Sequence, residues 1–282
     1  MSVTSELGEL LGVPARAVVD LEARHSWTLH RAILADGRDV FAKVADDQAA
    51  VLTAEAAGLD WLRVGSPGLV PRVLAVDDRM LVLPWLPEAP PTPGTAERLG
   101  RELAVLHANS PGAFGAPWPG RIADLPLDNT IGNDPWPHWY AERRLAPYLP
   151  HAAPHLGPAG IRLLERVIEN IDTLAGPPEP PSRIHGDLWS GNIRWTPDRA
   201  ILIDPAAHGG HRETDLAMLA LFGAPHLDRI LATYQETRPL ADGWQTRIAL
   251  HQLHPLLVHV VLFGGAYRTR TLTAATEILA IG

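Results

Sequence analysis

The sequence of 282 residues lacks cysteine altogether, which excludes disulfide bonds and thiolate metal sites. It also lacks a run of basic residues, and its formal net charge of -8 argues against a nucleic-acid-binding surface. The first residues do not have the charged-then-apolar layout of a signal peptide, and His, Pro and Gly interrupt the longest apolar stretch, around residues 253–267. We therefore expect a soluble cytoplasmic protein without nucleic-acid or membrane partners, and we expect a monomer.

Lysine is almost absent as well. Of the 24 cationic side chains only Lys43 is a lysine, and the others are arginines. It lies in the second of two β-like runs, 27–34 and 38–45, which are joined by an Asp-Gly that is a strong hairpin signal. Lys43 shares one pleat face with Phe41. A compact ammonium reaches between phosphates where a guanidinium does not, so this position indicates a phosphate contact, unless the lysine persists by chance.

The segment after this hairpin predicts a helix with an acid on its inward face. Four positions recur at helical spacing: Val51, Glu55, Leu59 and Leu62. Asp46 or Asp47 can cap the helix. A buried acid without a charged partner is costly, so we expect Glu55 to pair with Lys43. The alternative is a helix-edge glutamate in water.

The other segments indicate a β-rich first part and a helical second part. A second hairpin is predicted around Asp77-Asp78, and five prolines between residues 84 and 93 predict a stiff, extended connection. We place the boundary there, between 1–86 and 87–282, and interpret 111–137 as an ordered loop. Periodicity predicts helices at 5–11, 96–108, 138–148, 159–174, 211–222, 225–234, 244–262 and 271–279.

The most informative stretch is RIHGDLWSGNIRWTPDRAILIDP, residues 183–205. Its spacing H-x-D-L-x-x-x-N, that of a kinase catalytic loop, is formed by His185, Asp187, Leu188 and Asn192. A short apolar run then leads to Asp204. Phosphoryl transfer needs one carboxylate beside the attacking hydroxyl, and a carboxylate with an amide oxygen to hold Mg²⁺. Asp187 suits the first task, and Asn192 and Asp204 suit the second. A hairpin made of ordinary turn residues is the alternative.

The order of these features predicts the fold class. A strand lysine, a helix glutamate, an extended hinge, the loop motif and a strand followed by an acid predict an α+β, protein-kinase-like, two-lobed fold. We expect an N-terminal antiparallel sheet plus helix and a larger, mainly helical C-terminal lobe. Only ten residues separate Asp204 from Asp215, and no A-P-E follows, which argues against a protein kinase proper.

Five segments resemble the fructosamine kinase (ketosamine-3-kinase) family, within the wider aminoglycoside-phosphotransferase-like group. They are HGDLWSGN at 185–192, IDP at 203–205, GHRETDLAM at 210–218, DNTIGN at 128–133 and HQLHPLLVHVVLFGGAY at 251–267. The resemblance implies ATP-dependent phosphorylation of a sugar hydroxyl on a small-molecule or protein-bound ketosamine. It also implies deglycation, because the family's product breaks down and frees the amine. Residues 1–86 would then form the ATP-binding lobe, and 87–282 the catalytic and substrate-binding lobe.

The resemblance also implies residue roles. Asp187 would accept the hydroxyl proton, Asn192 and Asp204 would ligate Mg²⁺, Lys43 would contact ATP phosphates and Glu55 would orient Lys43. Further cofactor contacts are expected from Ser26, Leu83, Trp85 and Leu86. Substrate contacts are expected from Trp189, His208 and His211, and the alternative for Trp189 is a packed core tryptophan. His185 and Asp215 are expected to support the loop, Asp215 by accepting backbone N–H bonds.

The sequence departs from the family pattern at three places. Residues 23–27 contain no glycine, where the family usually has glycines that let the backbone approach phosphates. His208-Gly209 stands where two tyrosines are frequent, and Pro84 stands where an acidic hinge residue is common. Two alternatives therefore remain: a kinase of another amino-sugar or amino-alcohol, of the aminoglycoside or choline type, or a catalytically silent nucleotide-binding protein.

Histidine is abundant, with 13 residues, which raises the question of a metal site. His251, His254 and His259 could share a helix face. However, Pro255 interrupts that helix and no carboxylate is predicted beside them. We interpret them as core or surface residues.

Overall fold

The computed structural model describes residues 2–24, 27–45 and 49–281, except for the side chains of 22–24. Its N-terminal part is a five-stranded antiparallel sheet with the strand order β1, β2, β3, β5, β4. The strands are β1 (Ala15–Arg24), β2 (Trp27–Leu34), β3 (Asp39–Ala45), β4 (Ala75–Val76) and β5 (Met80–Pro84). Helix α1 (Val3–Leu11) packs on one face of this sheet and α2 (Ala49–Gly65) on the other. The predicted antiparallel sheet plus helix is confirmed.

The two faces of β3 serve different purposes, as its alternation predicts. Val40, Ala42 and Val44 are buried in a small core with α1. Phe41 and Lys43 face the other side, toward α2 and a cleft. The strand therefore delivers its one cation to the concave side of the sheet.

Helix α2 buries the stripe that the sequence predicts, because Val51, Glu55, Leu59 and Leu62 are all buried. The predicted caps Asp46 and Asp47 lie outside the described residues. Strand β1 was not among the predicted elements. Two of its apolar residues are exposed, Val19 by 57% and Leu21 by 43%, so the strand lacks the burial pattern on which such predictions depend.

The second part is mainly helical, as predicted. Its helices are α3 (Pro93–Ala108), α4 (Trp136–Tyr140), α5 (Leu149–Glu169), α6 (Ile171–Leu174), α7 (Arg212–Phe222), α8 (Leu227–Thr237), α9 (Trp244–Phe263) and α10 (Arg268–Leu279). A π-helical turn at Ala141–Leu145 and 3₁₀ turns at Ala146–Tyr148, Ser190–Asn192 and Gly264–Tyr267 complete the helical structure. Short strands frame the loop motif: β8 (Ser182–Ile184), β9 (Ile193–Trp195), β10 (Ala200–Leu202) and β11 (His208–Gly210).

Two predictions for this part need correction. The 111–137 segment is not only loop, because β6 (Gly120–Ile122) and β7 (Leu125–Leu127) form a small hairpin within it. Helix α5 is interrupted at Gly157, whose φ of 71° and ψ of 169° are not helical, so the predicted start at 159 lies just after this kink. The helical residues 149–156 before the kink were not predicted, because Pro154 and Pro158 lower the helical signal of this segment.

One apolar core joins the two parts of the molecule. It contains Leu59 and Leu62 of α2, Leu99 and Leu103 of α3, and Leu202 of β10. The hinge therefore connects parts that also share buried side chains, and α2 is packed against the strands that carry the loop motif.

The C-terminal helices form the second large core. By length and composition alone, Trp244–Leu279 is long and apolar enough to cross a membrane, but half of its most apolar window is buried inside the fold. Gly264, with φ 69° and ψ -145°, breaks this segment into α9 and α10, which then pack together. Its apolar character is therefore used for helix packing.

Candidate active site

A cleft of about 700 Å³ opens between the sheet and the helical part. Lys43 and Glu55 reach it from the sheet side, and Asp187, Asn192 and Asp204 reach it from the helical side. Its walls also include Leu29, Phe41, Leu83, Trp85, Leu86, Trp118, Arg121, Ile122, Asn129, Trp189 and Arg194. The cleft thus brings together acids and a cation that are far apart in the sequence; Lys43 and Asp204, for example, are separated by 161 positions.

Lys43 occupies the centre of the charged cluster. Its Nζ donates to Glu55 Oε2 at 2.7 Å and to Asp204 Oδ1 at 2.9 Å. Burial opposes its charge, but the two carboxylates prevail and raise the pKa of Lys43 above its usual value. The ring of Trp27 lies 4.5 Å from Nζ. Lys43 is therefore a fixed ammonium, and the expected pair with Glu55 is present.

Asp215 anchors the loop between β8 and β9 through backbone hydrogen bonds. This carboxylate is fully buried and accepts hydrogen bonds from the backbone N–H groups of His185, at 2.7 Å, and Gly186, at 2.9 Å. His107 Nε2 lies 3.2 Å from the same carboxylate. Gly186 has φ 81°, and a Cβ there would lie 2.2 Å from the carbonyl oxygen of Ala206. The loop path thus depends on this glycine and on Asp215, as expected for Asp215.

His185 braces the loop from inside. Its Nε2 donates to the Ile203 carbonyl at 2.9 Å, and its Nδ1 accepts from the Asp187 N–H at 3.3 Å. The ring is fully buried, and burial lowers its pKa, which keeps it neutral. Both ring nitrogens therefore serve the backbone, which is the structural placement expected for His185.

Asp187 and Asn192 contact each other across the loop. Asn192 Nδ2 donates to the Asp187 carbonyl at 2.8 Å and to Asp187 Oδ2 at 3.1 Å. Burial raises the pKa of Asp187 to about 7, since the bond from Asn192 only partly opposes it. A carboxyl group with such a pKa exchanges protons near neutral pH, as a general base must.

Helix α2 is fixed against the loop region. Arg183, just before the motif, donates to the Trp61 carbonyl at 3.2 Å and to Asn109 Oδ1 at 2.7 Å. A Cβ at Gly58 would lie 3.2 Å from the Cβ of Ala207, so α2 approaches the chain after Asp204 closely. These contacts fix α2, and with it Glu55, relative to the loop motif.

The expected nucleotide wall is partly described. Leu83, Trp85 and Leu86 line the cleft at the end of β5 and in the hinge. Ser26, expected at this wall, lies outside the described residues. Arg31 stacks on Trp85 at 4.4 Å from the ring centre, which fixes the indole at the hinge.

The three residues expected to contact the substrate lie in different surroundings. Trp189 lines the cleft and remains 38% exposed. His208 is buried in β11, where its Nδ1 donates to the Ala206 carbonyl at 2.8 Å. His211 is buried at the start of α7, where its Nδ1 accepts from the Glu213 N–H at 3.2 Å. Neither histidine is among the described residues that line the cleft, because the pairing of β11 with β8 turns this segment into the protein.

The sequence did not predict that the β6–β7 hairpin and Asn129 line the cleft. The β6–β7 hairpin brings Arg121 and Ile122 to the cleft, and Asn129 follows it. Asn129 Oδ1 accepts from the buried Arg144 Nη2 at 2.9 Å, and Arg144 stacks on Trp139 at 4.3 Å. The motif DNTIGN was the available signal, but it carried no indication of this arginine partner.

The histidine interpretation also needs a correction. His251 does have a carboxylate neighbour, Glu213 Oε2 at 3.3 Å, and His211 lies close enough for the three to surround a metal ion. However, Arg247 already forms two hydrogen bonds to the Glu213 carboxylate, at 3.0 and 2.6 Å. This cation neutralises the one acidic ligand. The cluster is therefore a buried ion-pair network, as expected for core histidines.

Fold and site together define a phosphotransferase with a protein-kinase-like fold. A macrolide 2'-phosphotransferase, 18% identical with a TM-score of 0.66, and an aminoglycoside phosphotransferase, 15% identical with a TM-score of 0.69, share the fold. The first match covers 98% of this chain and 96% of the other, and the second covers 99% and 98%.

The family is narrower than the fold. The profile of the fructosamine kinase family matches residues 17–281, and the chain belongs to this family. The structure named fructosamine-3-kinase from Thermobifida fusca is 52% identical, with a TM-score of 0.96 and 99% of each chain covered. A protein named ketoamine kinase from Klebsiella aerogenes is 33% identical over 86% of each chain, and one from Thermus thermophilus is 34% identical over 82% of this chain and 84% of its own. The protein is therefore a kinase, for which ATP is the co-substrate.

Proposed function

We propose that this kinase phosphorylates a sugar hydroxyl of a ketosamine of the fructosamine or ribulosamine type. The observation that carries the proposal is the position of Asp187. Its carboxyl group lies in the same cleft as Lys43 and Asp204, with a pKa of about 7, in a chain of the fructosamine kinase family. The names of the relatives support the acceptor class, and the cleft supports the chemistry.

The reaction follows from the placement of the side chains. Asp187 would accept the proton of the attacking sugar hydroxyl while the oxygen of that hydroxyl bonds to the γ-phosphorus of ATP. The bond between this phosphorus and the oxygen that bridges it to the β-phosphate breaks, which releases ADP. Lys43, held by Glu55 and Asp204, would contact the phosphates. Such positioning and electrostatic stabilisation supply most of the catalysis in phosphoryl transfer.

The oxygen atoms at the cleft suit Mg²⁺. Asn192 uses its Nδ2 for bonds within the loop, and its Oδ1 forms no hydrogen bond with the described residues. Asp204 offers a carboxylate whose side chain is 47% exposed toward the cleft, with one oxygen bonded to Lys43. Amide and carboxylate oxygens are the ligands that Mg²⁺ prefers. When bound there, Mg²⁺ would neutralise the charge of the phosphates.

An acceptor panel tests this proposal. ADP formation should be measured with ketosamines of several sugars, with aminoglycosides and with choline, each at equal concentration. We expect turnover with ketosamines and none above background with the other acceptors. Turnover that is confined to an aminoglycoside or choline would instead establish the alternative acceptor class, and ATP binding without turnover on any acceptor would support a silent nucleotide-binding protein.

The same proposal extends to the biological role, the location and the oligomeric state of the protein. If the phosphorylated product frees its amine, the kinase would act in deglycation of metabolites or proteins. We propose a cytoplasmic location, where ATP is available, and action as a monomer. The deglycation role is tested by measuring, with chromatography, whether the phosphorylated product releases its free amine.

A further inference from the structure

A row of aromatic side chains leads away from the cleft across the helical part. It consists of Trp189, Phe222, His259, Phe263 and Tyr267, and we call it the aromatic row. The ring centres of Trp189 and Phe222 are 6.0 Å apart, and those of Phe222 and His259 are 5.0 Å apart. His259 then contacts Tyr267 at 4.7 Å and Phe263 at 5.5 Å. The rings therefore form one continuous surface that begins at the cleft wall.

The first ring of this row is preorganised. A Cβ at Gly191 would lie 2.2 Å from the indole of Trp189, so the indole lies directly over the glycine backbone. The Phe222 ring contacts the indole edge to face, with an angle of 66° between the ring planes. Trp189 follows Asp187 by two positions and remains partly exposed. An acceptor that presents its hydroxyl to Asp187 therefore has this indole beside it.

The outer rings are accessible and uncharged. Phe263 is 53% exposed, and Phe222, His259 and Tyr267 are partly buried. His259 Nδ1 donates to the Pro255 carbonyl at 2.7 Å, and burial lowers the pKa of its ring, so it presents a neutral aromatic face. Exposed aromatic rings that continue a binding cleft are suited to an apolar part of the same ligand.

Positive charge flanks the row. The Arg270 guanidinium lies 5.9 Å from the centre of the Phe222 ring and donates to the Leu221 carbonyl at 3.1 Å. Arg268 is exposed nearby on the same helix, α10. In the described part of the chain neither arginine forms an ion pair with a carboxylate. A ligand that covers the row would therefore gain from an anionic group.

We propose that the aromatic row binds the amine-derived part of the acceptor, and that this part is an aromatic or large apolar α-amino acid whose carboxylate faces Arg270. This inference rests on the proposed function, because it assumes a ketosamine with its sugar at Asp187. The sugar hydroxyl then lies in the cleft at Asp187, and the amino-acid side chain extends past Trp189 along the aromatic row. The preferred substrates are ketosamines of free aromatic amino acids.

Three substrates with the same sugar test the inference: the ketosamines of glycine, phenylalanine and phenylalaninamide. They should be compared by kcat/KM in the parent protein, in Phe263→Ala and in Arg270→Gln. Val105→Ala is the matched control, since Val105 is also 53% exposed but lies on α3. We expect Phe263→Ala to lower the ratio of phenylalanine to glycine substrate by roughly 3- to 10-fold, the worth of one aromatic contact. We expect Arg270→Gln to lower the ratio of phenylalanine to phenylalaninamide substrate by about 2- to 5-fold, the worth of an exposed ion pair.

The outcomes separate the inference from the proposed function. If the parent protein uses all three ketosamines with equal kcat/KM, or if Phe263→Ala lowers all three equally, the subsite is refuted while the ketosamine kinase activity stands. If the parent protein uses no ketosamine, the proposed function fails and the subsite with it. A control in which Val105→Ala changes the same ratios would show that the effect is not specific to the row, which also refutes the subsite.

Discussion

Asp215→Asn is the substitution that most directly tests how the catalytic loop is held. The side chain keeps its shape but loses its charge and one of its two acceptor oxygens. In the parent protein both carboxylate oxygens accept from backbone N–H groups, those of His185 and Gly186, within a fully buried site. After the substitution the new amide N–H₂ group must face one of these donors.

The magnitude follows from these contacts. A hydrogen bond to a charged group contributes about 1.5–3 kcal/mol, and a buried donor left without a partner costs about 1–3 kcal/mol. One N–H keeps a weaker, neutral bond and the other loses its acceptor, so we expect the free energy of unfolding to fall by roughly 3–5 kcal/mol. Because the same N–H groups position the loop, a displacement of Asp187 should also lower kcat by about 10²-fold.

Urea unfolding and steady-state kinetics at a temperature where the variant is folded measure both effects. Asp172→Asn is the matched control, since Asp172 is an exposed acid whose side chain is 69% accessible and whose partner among the described residues is the exposed His138. That control should stay within about 0.5 kcal/mol of the parent protein. A loss below 1 kcal/mol in Asp215→Asn, together with an unchanged kcat, would refute the anchoring role.

Two further predictions concern buried charges. Lys43→Met should lower kcat/KM for ATP by about 10²-fold or more. Lys43→Arg should be impaired as well, since a guanidinium does not fit the point contact that the ammonium makes between Glu55 and Asp204. Full activity of the arginine variant would contradict this reasoning. Burial alone would raise the pKa of Glu213, but the contacts of His251 and Arg247 lower it to about 2. That lowered pKa contributes roughly 3 kcal/mol to stability, present above about pH 5 and lost as the pH falls toward 2. The difference in unfolding free energy between the parent protein and Glu213→Gln should therefore shrink over this range, and a constant difference would contradict the assignment.

The local part of the site could be predicted from sequence because its determinants are local. The spacing of the loop motif identifies Asp187 and Asn192. Helical periodicity places Glu55 on an inward face, where a buried carboxylate needs a cationic partner. The single lysine supplied that cation. These inferences needed no knowledge of how the two parts of the molecule pack.

The rest depends on tertiary contacts that leave little trace in a single sequence. His208 and His211 were expected at the acceptor, but the β11–β8 pairing and the cap of α7 turn both rings inward. The partner of Asn129 is Arg144, which is fully buried, although arginine is normally a surface residue. Likewise Glu213 meets Arg247 only because α7 and α9 pack side by side.

The central claim is that Asp187 takes the proton of a ketosamine hydroxyl during transfer from ATP. It is tested most directly by ketosamine-dependent ADP formation in the parent protein and in Asp187→Asn, with ATP binding followed by calorimetry. We predict a fall in turnover of about 10²- to 10⁴-fold with ATP affinity nearly intact. Equal turnover in both proteins, or no ketosamine-dependent turnover in the parent protein, would contradict the account.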